Sequence, residues 1–74
     1  MVTLFTKPGC QPCRLTKMKL EEYGVEYQAL DITTDPDARA KVEELGYMGV
    51  PVVLTEDGQH WQGMRPDRIK ELKG

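Results

Sequence analysis

The sequence predicts an α/β fold: a four-stranded mixed sheet with helices on both faces, in the order β-α-β-α-β-β-α. Three observations carry this. Val2-Thr3-Leu4-Phe5, a run of β-branched, apolar and aromatic residues, meets a Lys7-Pro8-Gly9 turn and then a stretch free of further breakers from Pro12 to Tyr23. Asp35-Pro36-Asp37 has the chemistry of a helix N-terminus. Asp57-Gly58 lies between two short strand-like runs, which is a hairpin signal.

The elements follow in order. Val2–Phe5 is the first strand, and Pro12–Tyr23, dominated by long side chains and closed by Gly24, is the first helix. Val25, Tyr27 and Ala29 alternate with Glu26 and Gln28 before Leu30 and Ile32, so residues 25–32 read as a second strand. A strand-helix-strand unit of this length implies parallel pairing with a right-handed crossover. Asp35 caps a second helix, with Pro36 in its first position and Asp37 at the positive end of the dipole. Its apolar stripe is Ala38, Val42 and Leu45, and Gly46 stops it. Val50-Pro51-Val52-Val53-Leu54 is a strand with proline near its start, where a missing donor is tolerated. Gln59–Gln62 returns antiparallel to it, and after Gly63 a last helix opens at Pro66 and Asp67 with Ile69 and Leu72 turned inward.

At 74 residues the chain has room for one domain, spanning residues 1–74, and sits near the lower limit of what one core can stabilise. Hydrophobic residues at 39% and charged residues at 30% argue against disorder and against a membrane protein. The longest uninterrupted apolar stretch is Val52-Val53-Leu54, and no leader precedes the first strand, so a cytoplasmic chain that engages no membrane is expected. The net charge of -2 disfavours a nucleic-acid partner. Charge is unevenly placed: residues 1–20 carry Lys7, Arg14, Lys17 and Lys19 with no acid, while residues 21–46 carry eight acids against Arg39 and Lys41.

Both cysteines lie at the basic end, as Cys10-Gln11-Pro12-Cys13. A C-x-x-C where a strand turns into a helix sets Cys10 near the N-cap and Cys13 one turn in, within disulfide reach. Thiol-disulfide exchange needs one accessible thiol present partly as thiolate and a second thiol close behind to resolve the mixed disulfide. On that logic Cys10 attacks and Cys13 resolves, with the helix dipole favouring the Cys10 thiolate. The rival is a metal site. A closed zinc site wants four ligands, and the chain offers two cysteines and the distant His60. Small metal-carrying chaperone domains also place a C-x-x-C after their first strand, but their β-α-β-β-α-β order differs, and no metal is expected here.

Thr6-Lys7-Pro8-Gly9-Cys10-Gln11-Pro12-Cys13, followed after an acidic helix by Gly49-Val50-Pro51, resembles a glutaredoxin of the thioredoxin superfamily. The resemblance spans Met1 to about Leu72 and implies a thioredoxin-like fold of glutaredoxin size. Trp61-Gln62-Gly63-Met64-Arg65-Pro66-Asp67 is similar to the W-S-G-F-R-P-D segment of NrdH redoxins. The chain departs from that pattern in three places: Gln11-Pro12 stands for the usual Val-Gln, Gln62 for serine and Met64 for phenylalanine.

The resemblance implies a small dithiol electron carrier with no bound cofactor and a redox-active Cys10-Cys13 disulfide. Its electrons come from NADPH through thioredoxin reductase and pass to a protein disulfide, usually that of a class Ib ribonucleotide reductase; a monomer is expected. It also implies that Pro51 is a cis-proline facing the dithiol and that Val50 offers backbone groups to an extended partner. Lys7, Gln11 and Pro12 flank the same surface, Lys7 either favouring the thiolate or standing solvated. Trp61, Gly63, Arg65 and Asp67 form the structural and partner segment, Trp61 packing in the core and Arg65 hydrogen-bonding. Glutathione-using glutaredoxins carry acids after the fourth strand to hold the glutathione amine, where this chain has Arg65-Pro66. Arg68 reads as solvated, His60 carries no role, and Tyr47 and Met48 either rim the site or anchor their loop.

Overall fold

The structure, a computed structural model, describes residues 1–72. Its elements run β1 (Val2–Thr6), α1 (Gln11–Glu22), β2 (Tyr27–Asp31), α2 (Pro36–Glu44), β3 (Val52–Leu54), β4 (His60–Gln62) and α3 (Pro66–Glu71). The sheet order is β2-β1-β3-β4. β1 pairs parallel with β2, from Val2 against Tyr27 to Thr6 against Asp31, and antiparallel with β3, Phe5 facing Val52. β3 and β4 form the hairpin, with Val53 opposite Trp61.

β1 is buried along its whole length because it is central and covered on both faces. Successive side chains of a strand point to opposite faces, and the core divides accordingly. Val2, Leu4 and Val53 join Trp61, Leu20 of α1 and Ile69 of α3 on one side, with Leu72 packed against them. Phe5 and Val52 join Ala38 and Val42 of α2 on the other. The buried stripe of α1 is Cys13, Thr16 and Leu20, and the one polar member is satisfied: the Thr16 hydroxyl donates to the Pro12 carbonyl at 2.8 Å.

The N-cap of α2 is formed as its chemistry dictates, the Asp35 carboxylate accepting from the Asp37 and Ala38 amides at 3.1 Å each. Three boundaries differ from the sequence expectation. β2 begins at Tyr27 because the Val25 amide is taken by the end of α1, donating to the Leu20 carbonyl at 2.9 Å while Gly24 turns at φ +69°. β3 begins at Val52, since Pro51 has no N–H for the ladder; the Val50–Pro51 peptide is cis. The hairpin loop is longer than the two residues Asp57-Gly58 suggest: Thr55 still pairs with Gln59 through its amide at 2.8 Å, leaving Glu56, Asp57 and Gly58 as a three-residue turn.

These placements separate two scales of stabilisation. Leu20 is fully buried, and Leu20→Ala is expected to cost roughly 2–5 kcal/mol through lost transfer energy and a cavity. Asp35→Ala gives up two cap bonds, one exposed and one partly buried, and is expected to cost about 1 kcal/mol. Urea unfolding at pH 7 checks the order; an Asp35→Ala loss as large as that of Leu20→Ala would contradict it.

Candidate active site

Because β1 and β2 run parallel and β3 runs against them, the C-terminal end of β1 and the N-terminal end of β3 meet at one edge of the sheet. The chain leaves β1 through Lys7-Pro8-Gly9 and enters α1 with Cys10 as N-cap, in extended geometry at φ -92° and ψ 106°. The loop before β3 brings Val50 and the cis Pro51 to the same place, so that Cys10 Sγ lies 4.0 Å from the Val50 carbonyl oxygen, forty positions away in sequence.

Cys10 and Cys13 are joined by a disulfide, with Cα atoms 5.2 Å apart. Cys13 is 1% exposed and Cys10 7%, so both residues are buried and the N-cap cysteine is the less deeply buried of the two. Cys10 Sγ accepts a hydrogen bond from the Cys13 amide at 3.2 Å. Gln11 and Pro12 occupy the first two helical positions, both exposed, and Pro12 has no N–H to add. The first turn holds no acid, so no side chain of that turn opposes negative charge at Cys10. Lys7 is exposed and makes no ion pair among the described residues.

The segment after β4 is built into the fold and reaches the same edge. Trp61 is buried in the core. Gly63, at φ +88°, turns its amide to the Pro51 carbonyl at 2.8 Å, tying this segment to the cis-proline. Arg65 is not a free cation: its Nε and one terminal nitrogen donate to the two Asp67 oxygens at 3.2 and 3.1 Å. The guanidinium beside Asp67 holds that carboxyl below the usual aspartate range. Asp67 is therefore engaged within its own chain.

Two sequence expectations require correction. Arg68 is not simply solvated, since its guanidinium lies 4.8 Å above the Trp61 ring and donates to Gln59 Oε1 at 2.9 Å. His60 does have a contact, Nδ1 lying 2.8 Å from the Tyr47 hydroxyl oxygen, which makes Tyr47 a loop anchor. Met48 beside it is fully exposed and borders a groove of about 470 Å³ against Ile32, Val42 and the Arg39–Glu43 pair. The Gln62 side chain donates to the Gly49 carbonyl at 3.1 Å, a contact whose only sequence signal is the departure from serine at that position. Among the described residues no three His, Cys, Asp or Glu side chains gather as a metal site.

The N-cap geometry sets the direction of one substitution. Pro12→Ala restores an N–H at the second helical position, where a capping thiolate can accept it. A bond to a charged acceptor is worth roughly 1.5–3 kcal/mol, and about 1.4 kcal/mol corresponds to about 30 mV for a two-electron couple. The variant is expected to be a weaker reductant by up to a few tens of millivolts in equilibrium with a thiol buffer; a more negative potential would refute the geometry. A second prediction concerns Asp67. Its folded-state pKa is depressed, so the pair with Arg65 contributes stability above the unfolded value of about 3.9 and loses it as pH falls through the lower folded value. Carboxyl NMR titration should show a low Asp67 midpoint that rises in Arg65→Gln; an unchanged midpoint would show that the ion pair does not hold it.

Comparison with known proteins agrees with this architecture. The glutaredoxin family model matches residues 2–61. The gene 56 protein of Mycobacterium phage L5 is 40% identical over 72 residues, covering 96% of this chain and 70% of that protein. The glutaredoxin-like protein NrdH of Lactococcus lactis is 32% identical over 72 residues, covering 97% and 99%. Among solved structures, the NrdH-redoxin of Escherichia coli superposes with a TM-score of 0.90 at 30% identity, covering 99% of this chain and 95% of that one. With the sheet order, the cis-proline and the disulfide arranged as described, the chain belongs to the glutaredoxin family as an NrdH-type redoxin, a thiol-disulfide oxidoreductase.

Proposed function

We propose that this redoxin carries electrons from thioredoxin reductase, and ultimately NADPH, to protein disulfides, those of a class Ib ribonucleotide reductase being the first candidates. The Cys10 thiolate attacks one sulfur of the client disulfide; a mixed disulfide forms and one client thiolate leaves. Cys13, having given up its proton, attacks Cys10 Sγ, and the second client thiolate leaves. Two electrons and two protons pass to the client, and Cys10-Cys13 is left oxidised. The observation that supports this division of labour is position: Cys10 is the N-cap, beside Val50 and 7% exposed, while Cys13 lies within the first turn and is 1% exposed. Val50 offers its backbone to an extended client segment across Pro51, with Lys7, Gln11 and Pro12 on the other flank.

The choice of reductant rests on the segment after β4. Glutathione needs its amine held by acids, and the one acid there, Asp67, is bound to Arg65. A reductase can instead recognise the surface around Cys10, Val50 and Pro51. The Escherichia coli NrdH-redoxin, similar over nearly its whole length, has a thioredoxin-like activity profile. The alternative is a glutathione-dependent glutaredoxin, which the same family match favours equally.

Cys13→Ser should accumulate a stable mixed disulfide with an insulin or client disulfide, and Cys10→Ser should be inert; in the reduced wild type alkylation should label Cys10 first. Preferential labelling of Cys13 would reverse the roles. For the reductant, NADPH oxidation coupled to insulin reduction should require thioredoxin reductase, with glutathione and glutathione reductase supporting little turnover. Equal or faster turnover with glutathione would place the protein with the ordinary glutaredoxins.

A further inference from the structure

β4 holds the loop that carries Val50 through two side chains that the exchange chemistry does not use. His60 and Gln62 are two residues apart on one strand, so both point away from the face on which Trp61 is buried. Gln62 Nε2 donates to the Gly49 carbonyl at 3.1 Å. His60 Nδ1 lies 2.8 Å from the Tyr47 hydroxyl oxygen, the two rings meeting edge to face with centroids 5.6 Å apart. On the far side of Val50, the Gly63 amide holds the Pro51 carbonyl at 2.8 Å. One short strand and the residue after it thus fix the backbone before and after Val50.

We propose that Gln62 and His60 are positioning residues that set the Gly49–Val50 backbone at the height where a protein substrate docks, an inference that rests on the reading of Val50 as the main-chain docking point. The Val50 carbonyl is 4.0 Å from Cys10 Sγ, so a displacement of the loop by about 1 Å alters the spacing between the attacking sulfur and a docked main chain. The Gln62 amide rests directly against the loop: a Cβ at Gly49 would lie 3.4 Å from Gln62 Nε2, in van der Waals contact with it. A serine at position 62 would end two bonds short of that amide nitrogen. Small disulfides need only the sulfur of Cys10. Protein disulfides need the sulfur and the backbone together, and the clamp acts on the second requirement.

The test uses the full chain, pre-reduced, with insulin as the protein disulfide and hydroxyethyl disulfide as the small one. Gln62→Met keeps length and neutrality and removes the donor; His60→Phe keeps a ring and removes the nitrogen. The insulin concentration at half-maximal rate should rise about three- to tenfold in Gln62→Met, the scale of one lost hydrogen bond, and further in the double variant. Maximal rate and hydroxyethyl disulfide turnover should stay within about twofold of wild type, a split that a general loosening of the fold would not produce. Gln62→Ser, shorter and polar, should reproduce the rise and guards against a folding failure of the methionine variant. Half-saturation unchanged in every variant, or both disulfides slowed in parallel, would overturn the clamp while leaving the Val50 reading intact. A wild type that reduces hydroxyethyl disulfide and shows no saturable reaction with insulin would overturn both.

Discussion

The antiparallel pairing of β1 with β3 is the constraint on which the rest of this molecule depends. By setting Phe5 against Val52 it places the exit of one strand beside the start of the other, and so brings Cys10 to within 4.0 Å of the Val50 carbonyl. The two loops belong to different halves of the chain, forty positions apart at Cys10 and Val50. Their juxtaposition is maintained by the core on either side of the sheet, where Leu4 and Val53 bind to the α1–α3 layer and Phe5 and Val52 to α2.

Within that frame the surroundings of the Cys10 sulfur are set by the N-terminus of α1. A helix N-terminus provides unsatisfied amides and a positive potential, and this one turns the Cys13 amide toward Cys10 Sγ at 3.2 Å. Proline at the second helical position pre-organises the turn and withholds a further donor. The opposing effects bear on different quantities: the rigid φ of Pro12 favours the helix start, and its missing N–H favours the oxidised pair over the thiolate.

The segment from Trp61 to Asp67 links the sheet to α3 and closes the same edge. Its polar groups are used internally: Gly63 on Pro51, Arg65 on Asp67, and Gln62 on Gly49. Arg68 covers the Trp61 ring at 4.8 Å, shielding from water a residue that is large for so small a core. These exposed contacts are individually weak in high dielectric. Their effect is geometric, in that they restrict where the loop before Pro51 can sit.

Much of this was legible in the sequence, because the physics involved is local. Helix starts at Asp35 and Pro66 follow from capping chemistry and the fixed φ of proline, and the strands at Val2–Phe5 and Val52–Leu54 follow from short runs of β-branched and apolar residues. The dithiol at the strand-helix turn follows in the same way. The start of β2 was misjudged because the amide of Val25 is claimed by α1, a competition between two elements that alternation along one of them does not reveal. The contacts of His60, Gln62 and Arg68 are likewise hidden, since each partner lies 7 to 13 residues away and on another element or its flanking loop. Sequence determined which residues form the elements and which atoms can exchange electrons. Tertiary structure alone decided what stands beside the dithiol, because the proximity of Val50 to Cys10 arises from pairing between segments distant along the chain.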